Sequence, residues 1–235
     1  GYEHQGQNSR EYLITRMLYI AEITSSAIRL DASWALTHAA MSLLRDRYEQ
    51  AVRFSWLVRS PDQTEFHKYE RAIFAKMNAL VRNVNSETRK HYEEIMGPPP
   101  AWATEAPTKE QRAYLEAWNA LDLRSMATKR DAFPPIADTE LAKESLAHWY
   151  DAIYSQFSSV SHYDRYSIEL LGLQKAPDGK LVLAAQPHWP SILTLQNCYF
   201  DIVQCFEAAH ICHKRDAAQT FEALLAEWIQ FSKKI

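Results

Sequence analysis

The class of fold follows from residues 34–59, which read WALTHAAMSLLRDRYEQAVRFSWLVR. The stretch contains neither glycine nor proline, the two residues that most often interrupt a helix. A mostly apolar set of side chains recurs at steps of three and four residues: Trp34, His38, Met41, Arg45, Tyr48 and Val52. That spacing is typical of one face of an α-helix. It predicts a long helix that ends near Arg59.

The same spacing continues on both sides of this helix. Ser9 is predicted to cap a first helix, which is separated from the second by a break near residues 31–33. Pro61 can occupy the first turn of a third helix, which we expect to continue to Met96. Gly97 and the three prolines after it end that helix, because proline lacks the backbone donor and clashes with the preceding turn.

The second half of the chain contains further helical patterns and one β-like signal. Helices are predicted over residues 109–119, from Asp138, from Pro190 and from Asp216. The sequence APDG at 176–179 lies between two apolar runs, which is typical of a β-hairpin turn.

Together these patterns predict an all-α fold, a bundle of about six to eight helices with one small β-hairpin around 167–184. We expect a single domain over residues 1–235. The proline-rich loop at 97–107 is the one candidate for an internal boundary.

The composition limits which cellular compartment and which classes of binding partner we expect. Apolar residues make up 47% of the 235 residues, enough for a sizeable core. The net charge of −3 gives no reason to expect a nucleic-acid or membrane partner. All three cysteines lie within Cys198–Cys212, and an odd count argues against a disulfide framework. No apolar run approaches the roughly 20 residues of a membrane span. We therefore expect a cytoplasmic protein that has no cofactor.

Arg45 and Glu49 form the first candidate site, one helical turn apart. Arg45 lies on a stripe that is otherwise mostly apolar, and an arginine that loses its water needs a partner. A salt bridge is the simpler interpretation. The alternative is an arginine that binds an anion or orients a catalytic group.

The second candidate site lies between Tyr154 and Asp164. Tyr154, Ser158 and His162 follow one another at steps of four residues and therefore share one face of a helix. A histidine at the end of a helix can act as a general acid or base near neutral pH, and Ser158 could hydrogen-bond to it. Ser161 and Asp164 would add polar groups for binding. A buried histidine that ties the helix end to a neighbour is the alternative.

Glu207 and His210 are the remaining candidates, in this case for a metal. Ferritin-like bundles use Glu-x-x-His twice, together with two further glutamates, whereas this chain has the motif once. Structural packing is therefore the favoured interpretation, and no metal is expected.

The order of these features resembles a family of bacterial helical proteins classified only as a domain of unknown function. Arg45-x-x-x-Glu49 is followed by Tyr154-x-x-x-Ser158-x-x-Ser161-His162, the hairpin and another long helix. The resemblance covers residues 30–215. It implies a helical fold and leaves the activity open.

A more distant resemblance is to HEPN domains, helical bundles of bacterial toxins and phage-defence systems, many of which are metal-independent ribonucleases. Their signature lies on one helix and begins with an arginine, which is usually followed by a polar residue. Four to six residues of any type come next, and a histidine ends the motif. His162 matches the histidine, but residues 155–158 contain no arginine. The resemblance implies that Arg45 would have to replace it from another helix, with His162 as acid or base.

Three functions remain open from the sequence. The favoured one is a binding or regulatory module for an unknown protein or small ligand. The second is a HEPN-like ribonuclease or phage-defence effector that uses His162 and Arg45, with RNA as a candidate partner. The third is a metal-dependent helical-bundle enzyme. A homodimer is compatible with each of them.

Overall fold

The structure is a computed structural model. It describes residues 6–33, 37–62, 64–66, 68–69, 72, 83, 85–96, 108–119, 121–155, 157–158, 173–183, 189–212 and 217–234. These residues are mostly helical, which confirms the predicted class of fold. The α-helices with defined bounds are α1 (Gly6–Ser33), α2 (Thr37–Arg59), α3 (Ser86–Met96), α4 (Lys109–Asn119), α5 (Leu123–Asp131), α6 (Glu140–Lys143), α7 (Leu146–Trp149), α8 (Trp189–Glu207) and α9 (Ala218–Ser232). Two π-helical segments follow α7 and α8 directly, namely π1 (Tyr150–Tyr154) and π2 (Ala208–Cys212).

The chain divides into two compact units. The first unit comprises Gly1–Arg59 and Leu123–Ile235, and the second comprises Ser60–Asp122. The second unit contains α3 and α4, and the loop at 97–107 lies outside the described residues.

Helix α2 is the centre of the first unit. It packs against α1, α5, α8 and π1. Met41, Tyr48 and Val52 of the predicted stripe are fully buried, and so is Leu44, which is not on that stripe. Every residue from Phe54 to Arg59 is buried, so this end of the helix is buried around its whole circumference.

Three predicted helix boundaries are wrong. Helix α1 begins at Gly6, so Ser9 lies inside it. The third helix does not run unbroken to Met96, because Asn85 is outside helical structure and its side chain caps α3 by accepting from Thr88 N at 2.8 Å. Asp138 does not cap the next helix, since Thr139 occupies that position and accepts from Ala142 N.

The predicted long helix after Asp138 is divided into shorter pieces. Backbone at Glu144 is extended, so α6 ends there and α7 begins after Ser145. Ser145 and Asp131 together satisfy the first backbone N–H groups of α7, which would otherwise lack partners. This break turns the chain towards the end of α5.

The segment predicted as a hairpin contains two three-residue strands, β1 (Leu173–Lys175) and β2 (Leu181–Leu183). They pair antiparallel, with Gln174 opposite Val182. Gly179 closes the turn at φ 84°, a left-handed conformation that glycine adopts without the clash of a Cβ atom. The remaining residues of the predicted segment, 167–172 and 184, lie outside the described residues.

Within the described parts of the chain, no helix is both long and apolar enough to cross a membrane.

Candidate functional site

Arg45 and Tyr154, two of the predicted site residues, meet in the structure. Arg45 Nη2 donates a hydrogen bond to Tyr154 Oη at 3.1 Å, and the guanidinium lies 5.0 Å from the centre of the Tyr154 ring. Burial acts to lower the pKa of Arg45, but the hydrogen bond to Tyr154 and the electrostatic effects of Tyr154, Asp46 and Glu49 together outweigh it, so the pKa is raised. Arg45 is therefore a fixed cation, which can hold an anion but cannot exchange protons near neutral pH.

The surroundings of Arg45 are aromatic. Tyr150 and Tyr154, both in π1, stack with their ring centres 5.0 Å apart. Tyr48 packs against Tyr154 at 5.9 Å and donates a hydrogen bond to Leu146 O at 2.7 Å. The cation of Arg45 is therefore fixed against a tyrosine surface by contacts from α2, α7 and π1.

Other predicted site residues lie elsewhere or beyond the described part of the chain. Glu49 forms its ion pair with Arg53 at 2.5 Å, whereas Arg45 lies 3.7 Å from Asp46. Ser158 is half-buried. His162, Ser161 and Asp164 lie outside the described residues, so their predicted roles stay predictions.

Glu207, a candidate metal ligand, instead belongs to a buried ion cluster. Arg130 donates from Nη2 to Glu207 Oε1 at 2.7 Å and from Nε to Ser55 Oγ at 2.6 Å. Ser55 Oγ in turn donates to Glu207 Oε1 at 2.6 Å. Arg59 approaches the same oxygen at 3.7 Å. We call these four residues the Arg130 cluster.

The Arg130 cluster continues to the cap of α7. Arg130 Nη1 donates to Asp131 Oδ1 at 3.0 Å and to Glu144 O at 2.6 Å. Asp131 then accepts from the backbone N–H groups of Leu146 and Ala147. Burial acts to lower the pKa of Arg130, but Glu207 and Asp131 outweigh it, so the pKa is raised and the side chain stays charged.

A second cluster has the same chemistry and joins α1, α2 and α8. Arg47 donates from Nη2 to Asp201 Oδ1 at 2.8 Å and from Nε to Ser25 Oγ at 3.1 Å. Ser25 Oγ lies 2.8 Å from Asp201 Oδ1 and 3.0 Å from Asn197 Oδ1. Arg47, Ser25, Asp201 and Asn197 form the Arg47 cluster. In both clusters one arginine and one serine bind the same carboxylate oxygen.

These clusters are suited to fixing helices rather than to catalysis. Arg47, Arg130, Ser25, Ser55 and Glu207 are each 1% exposed or less, so no substrate reaches them. Arg47 and Arg130 each have a carboxylate within hydrogen-bonding distance, which is the condition for burying their charge. They fix α1, α2, α5 and α8 in one register.

The geometry does not favour a metal at Glu207 and His210. The bound oxygen of Glu207 faces two guanidinium groups, which would repel a cation. His210 lies in π2, with its ring 5.8 Å from that of Phe206. Among the described residues, no group of three or more histidine, cysteine, aspartate or glutamate side chains could hold a metal ion.

A different candidate site lies on the outside of α1. The side of α1 that faces the core carries Ile14, Ala21, Ser25, Ile28 and Ala32, which are all buried. The opposite side carries four large apolar side chains, which we call the outer face of α1: Tyr19, Ile20, Ile23 and Leu30, exposed by 67%, 50%, 52% and 59%. A surface helix normally carries polar residues there. A contiguous exposed apolar patch on a folded protein marks a binding surface more often than scattered apolar residues do.

Sequence reasoning missed the buried arginine of α2, because it followed one stripe only. Ala40, Leu44, Arg47 and Ala51 form a second series at steps of four, three and four residues, and all four are buried. That series indicates a helix buried on two sides. Arg45, on the predicted stripe, keeps 26% of its side chain exposed.

No protein-family model, curated protein or solved structure matches the chain.

Proposed function

We propose that this chain is a non-catalytic helical module that binds a partner protein through the outer face of α1. The observation that carries the proposal is the apolar character of both sides of this helix. Ile28 and Ala32 on one side are in the core, whereas Ile20 and Ile23 on the other are half exposed. Covering such side chains stabilises a complex by about 25 cal/mol for each Å² of apolar surface removed from water.

The Arg47 cluster supports this function indirectly. It holds α1 against α2 and α8, so the outer face is presented on a fixed helix. A preformed surface loses little conformational entropy on binding, which favours affinity. Tyr19 adds a large, rigid side chain of the kind enriched among residues that dominate binding energy.

The test is quantitative affinity capture from cells that express the tagged chain. Ile23→Glu places a charge in the centre of the outer face, and Leu224→Glu is the matched control on the exposed surface of α9. We expect proteins captured by the wild type and by Leu224→Glu to be lost with Ile23→Glu. Identical capture by all three chains contradicts the proposal.

A second candidate function is supported by the contact of Arg45 with Tyr154. The fixed cation lies beside tyrosine rings at the start of the segment that leads to His162, an arrangement compatible with an RNA phosphate and a stacked base. A HEPN-like ribonuclease would cleave RNA without added metal, and His162→Ala would abolish the cleavage. Unchanged cleavage by His162→Ala contradicts this candidate.

A further inference from the structure

We infer that the last turn of α2 forms a binding site for a small monovalent anion such as chloride, held by the side chains of Arg59 and Trp56. The site is separate from the outer face of α1 and does not depend on the proposed function. Among the described residues, neither Arg59 Nε nor Trp56 Nε1 has a hydrogen-bond partner, although both atoms are buried and both residues are only 8% exposed. Buried donors without an acceptor are rare in folded proteins, so two of them in one turn indicate a ligand that accepts hydrogen bonds.

The surroundings of Arg59 differ from those of Arg47 and Arg130. Arg47 and Arg130 each use Nε and Nη2, which lie along one edge of the guanidinium, to bind a serine hydroxyl and a carboxylate oxygen. On Arg59 the same edge binds a neutral carbonyl, because Nη2 donates to Pro134 O at 3.2 Å and Nε has no acceptor within the described part of the chain. Arg59 therefore lacks, along this edge, the anionic oxygen that the other two arginines have.

Glu207 approaches a different part of Arg59 and is already in use. Its Oε1 lies 3.7 Å from Arg59 Nη1, beyond hydrogen-bonding distance, and accepts from Arg130 and Ser55. Arg59 Nη1 itself donates to Ala142 O at 3.2 Å. Burial, followed by the charge of Arg130, lowers the pKa of Arg59. The charge of Arg59 is therefore only partly compensated, and an anion beside Nε would stabilise it.

Trp56 supplies the second donor on the same side of α2. It precedes Arg59 by three residues, so the two side chains are neighbours on the surface of the helix. The ring centre of Trp56 lies 5.5 Å from that of Phe133, and Arg59 binds the next residue along, Pro134. Lys129 Nζ lies 5.9 Å from the centre of the Trp56 ring and adds positive charge. Because an indole N–H and a guanidinium can only donate, a ligand that they share must accept from both.

A monatomic anion fits these donors better than water or a larger anion does. Water would bring no charge to Arg59, and its own two hydrogens would need further acceptors. Phosphate and sulfate have several oxygen atoms, which two N–H groups cannot satisfy in a buried place. A halide accepts from both donors and has no hydrogen to place. We therefore expect chloride to bind in preference to either alternative.

The first test is thermal unfolding of the full chain at constant ionic strength, with sodium gluconate replaced stepwise by sodium chloride. A ligand that binds only the folded state raises the midpoint as its concentration passes the dissociation constant. We expect a rise of about 3 °C once chloride exceeds that constant by about ten-fold. Equal midpoints in the two salts overturn the inference.

Variants assign the chloride effect to this turn of α2. Trp56→Phe keeps an aromatic ring and removes one donor, so it should reduce the rise in midpoint by at least about half, and Arg59→Met should abolish the rise. Arg124→Met is the matched control, because Arg124 pairs with Asp151 on the exposed surface, and it should keep the full rise. Each chain is compared with itself in two salts, so a general loss of stability does not affect the comparison. A full rise in Trp56→Phe overturns the assignment.

Bromide locates the anion directly. Crystals grown in sodium bromide should show anomalous density at the bromine absorption edge, within hydrogen-bonding distance of Arg59 Nε and Trp56 Nε1. A bromide there without chloride-dependent unfolding would be an adventitious ion only. That result, or a water molecule in the same place, overturns the inference.

Discussion

At the scale of single residues, buried arginines determine how the helices meet. Arg130 and Arg47 are each 1% exposed, and each shares one carboxylate oxygen with a serine on a neighbouring helix. Removing one member of such a pair leaves the other as an unpaired buried charge, which costs far more than the pair contributes.

We expect Arg130→Met to lower the free energy of unfolding by about 3–5 kcal/mol, because Glu207 loses its closest cation. Arg124→Met is the matched control, since Arg124 pairs with Asp151 at 3.3 Å on the exposed surface. It should cost less than about 1 kcal/mol. Urea unfolding followed by circular dichroism measures both, and equal losses would show that the buried cluster has no special role.

Tyr48 gives a prediction that depends on pH. Burial, followed by the charge of Asp131, raises the pKa of Tyr48 above the ordinary value of about 10. The neutral phenol therefore favours the folded state, and its contribution is complete below pH 10 and is lost progressively as the pH rises from that value towards the raised pKa of the folded state. Tyr48→Phe keeps the ring and removes the ionisation.

At pH 8 we expect Tyr48→Phe to be less stable than the wild type by about 1–3 kcal/mol, because Leu146 O loses its donor. Between pH 10 and pH 11 the wild type should lose about 1 kcal/mol that the variant does not lose. Urea unfolding at each pH gives the difference. A difference that does not shrink above pH 10 contradicts the raised pKa of Tyr48.

At the scale of secondary-structure elements, helices with long regular apolar spacing could be predicted from the sequence, whereas several helix boundaries could not. The stripe from Met41 to Val52 predicted α2, and residues 109–119 match α4, since both follow from local periodicity. The break at Glu144 depends on Asp131, which is 15 residues from Leu146 in the chain. No local pattern shows that a distant carboxylate will satisfy the start of a helix.

The cap of α7 provides the test at this scale. We expect Asp131→Ala to lower the free energy of unfolding by about 2 kcal/mol, because two backbone N–H groups lose their acceptor. Asp138→Ala removes the residue that the sequence predicts as a cap, whose ion pair with Lys143 is exposed, and should change stability by less than about 0.5 kcal/mol. Thermal unfolding of both variants measures this, and the reverse order would contradict the observed cap.

The residues of the candidate sites could be predicted only in part, because local spacing identifies single residues but not the distant residues that surround them. Sequence spacing identified Arg45 and Tyr154, which meet. The sequence favoured a packing role for Glu207. In the structure this carboxylate binds arginines and a serine from two other helices. Such a cluster needs residues from three elements, so its composition follows only from the fold.

At the scale of the whole molecule, the proposed function depends on one helix, α1, which has two apolar sides. The inner side of α1 completes the core of the first unit, and the outer face is available for a partner. The same substitution should therefore lower the free energy of unfolding strongly on the inner side and leave it nearly unchanged on the outer face. Ile28 is fully buried and Ile23 is 52% exposed, and they are five residues apart in one helix.

The most direct test is the free energy of unfolding of Ile28→Glu beside Ile23→Glu, measured by urea unfolding of the purified chain in dilute solution. We predict that Ile28→Glu loses about 4 kcal/mol or more, because it buries an unpaired carboxylate, and that Ile23→Glu stays within about 0.5 kcal/mol of the wild type. If Ile23→Glu is destabilised as much as Ile28→Glu, the outer face belongs to the core of the monomer, and the binding surface proposed for this protein does not exist.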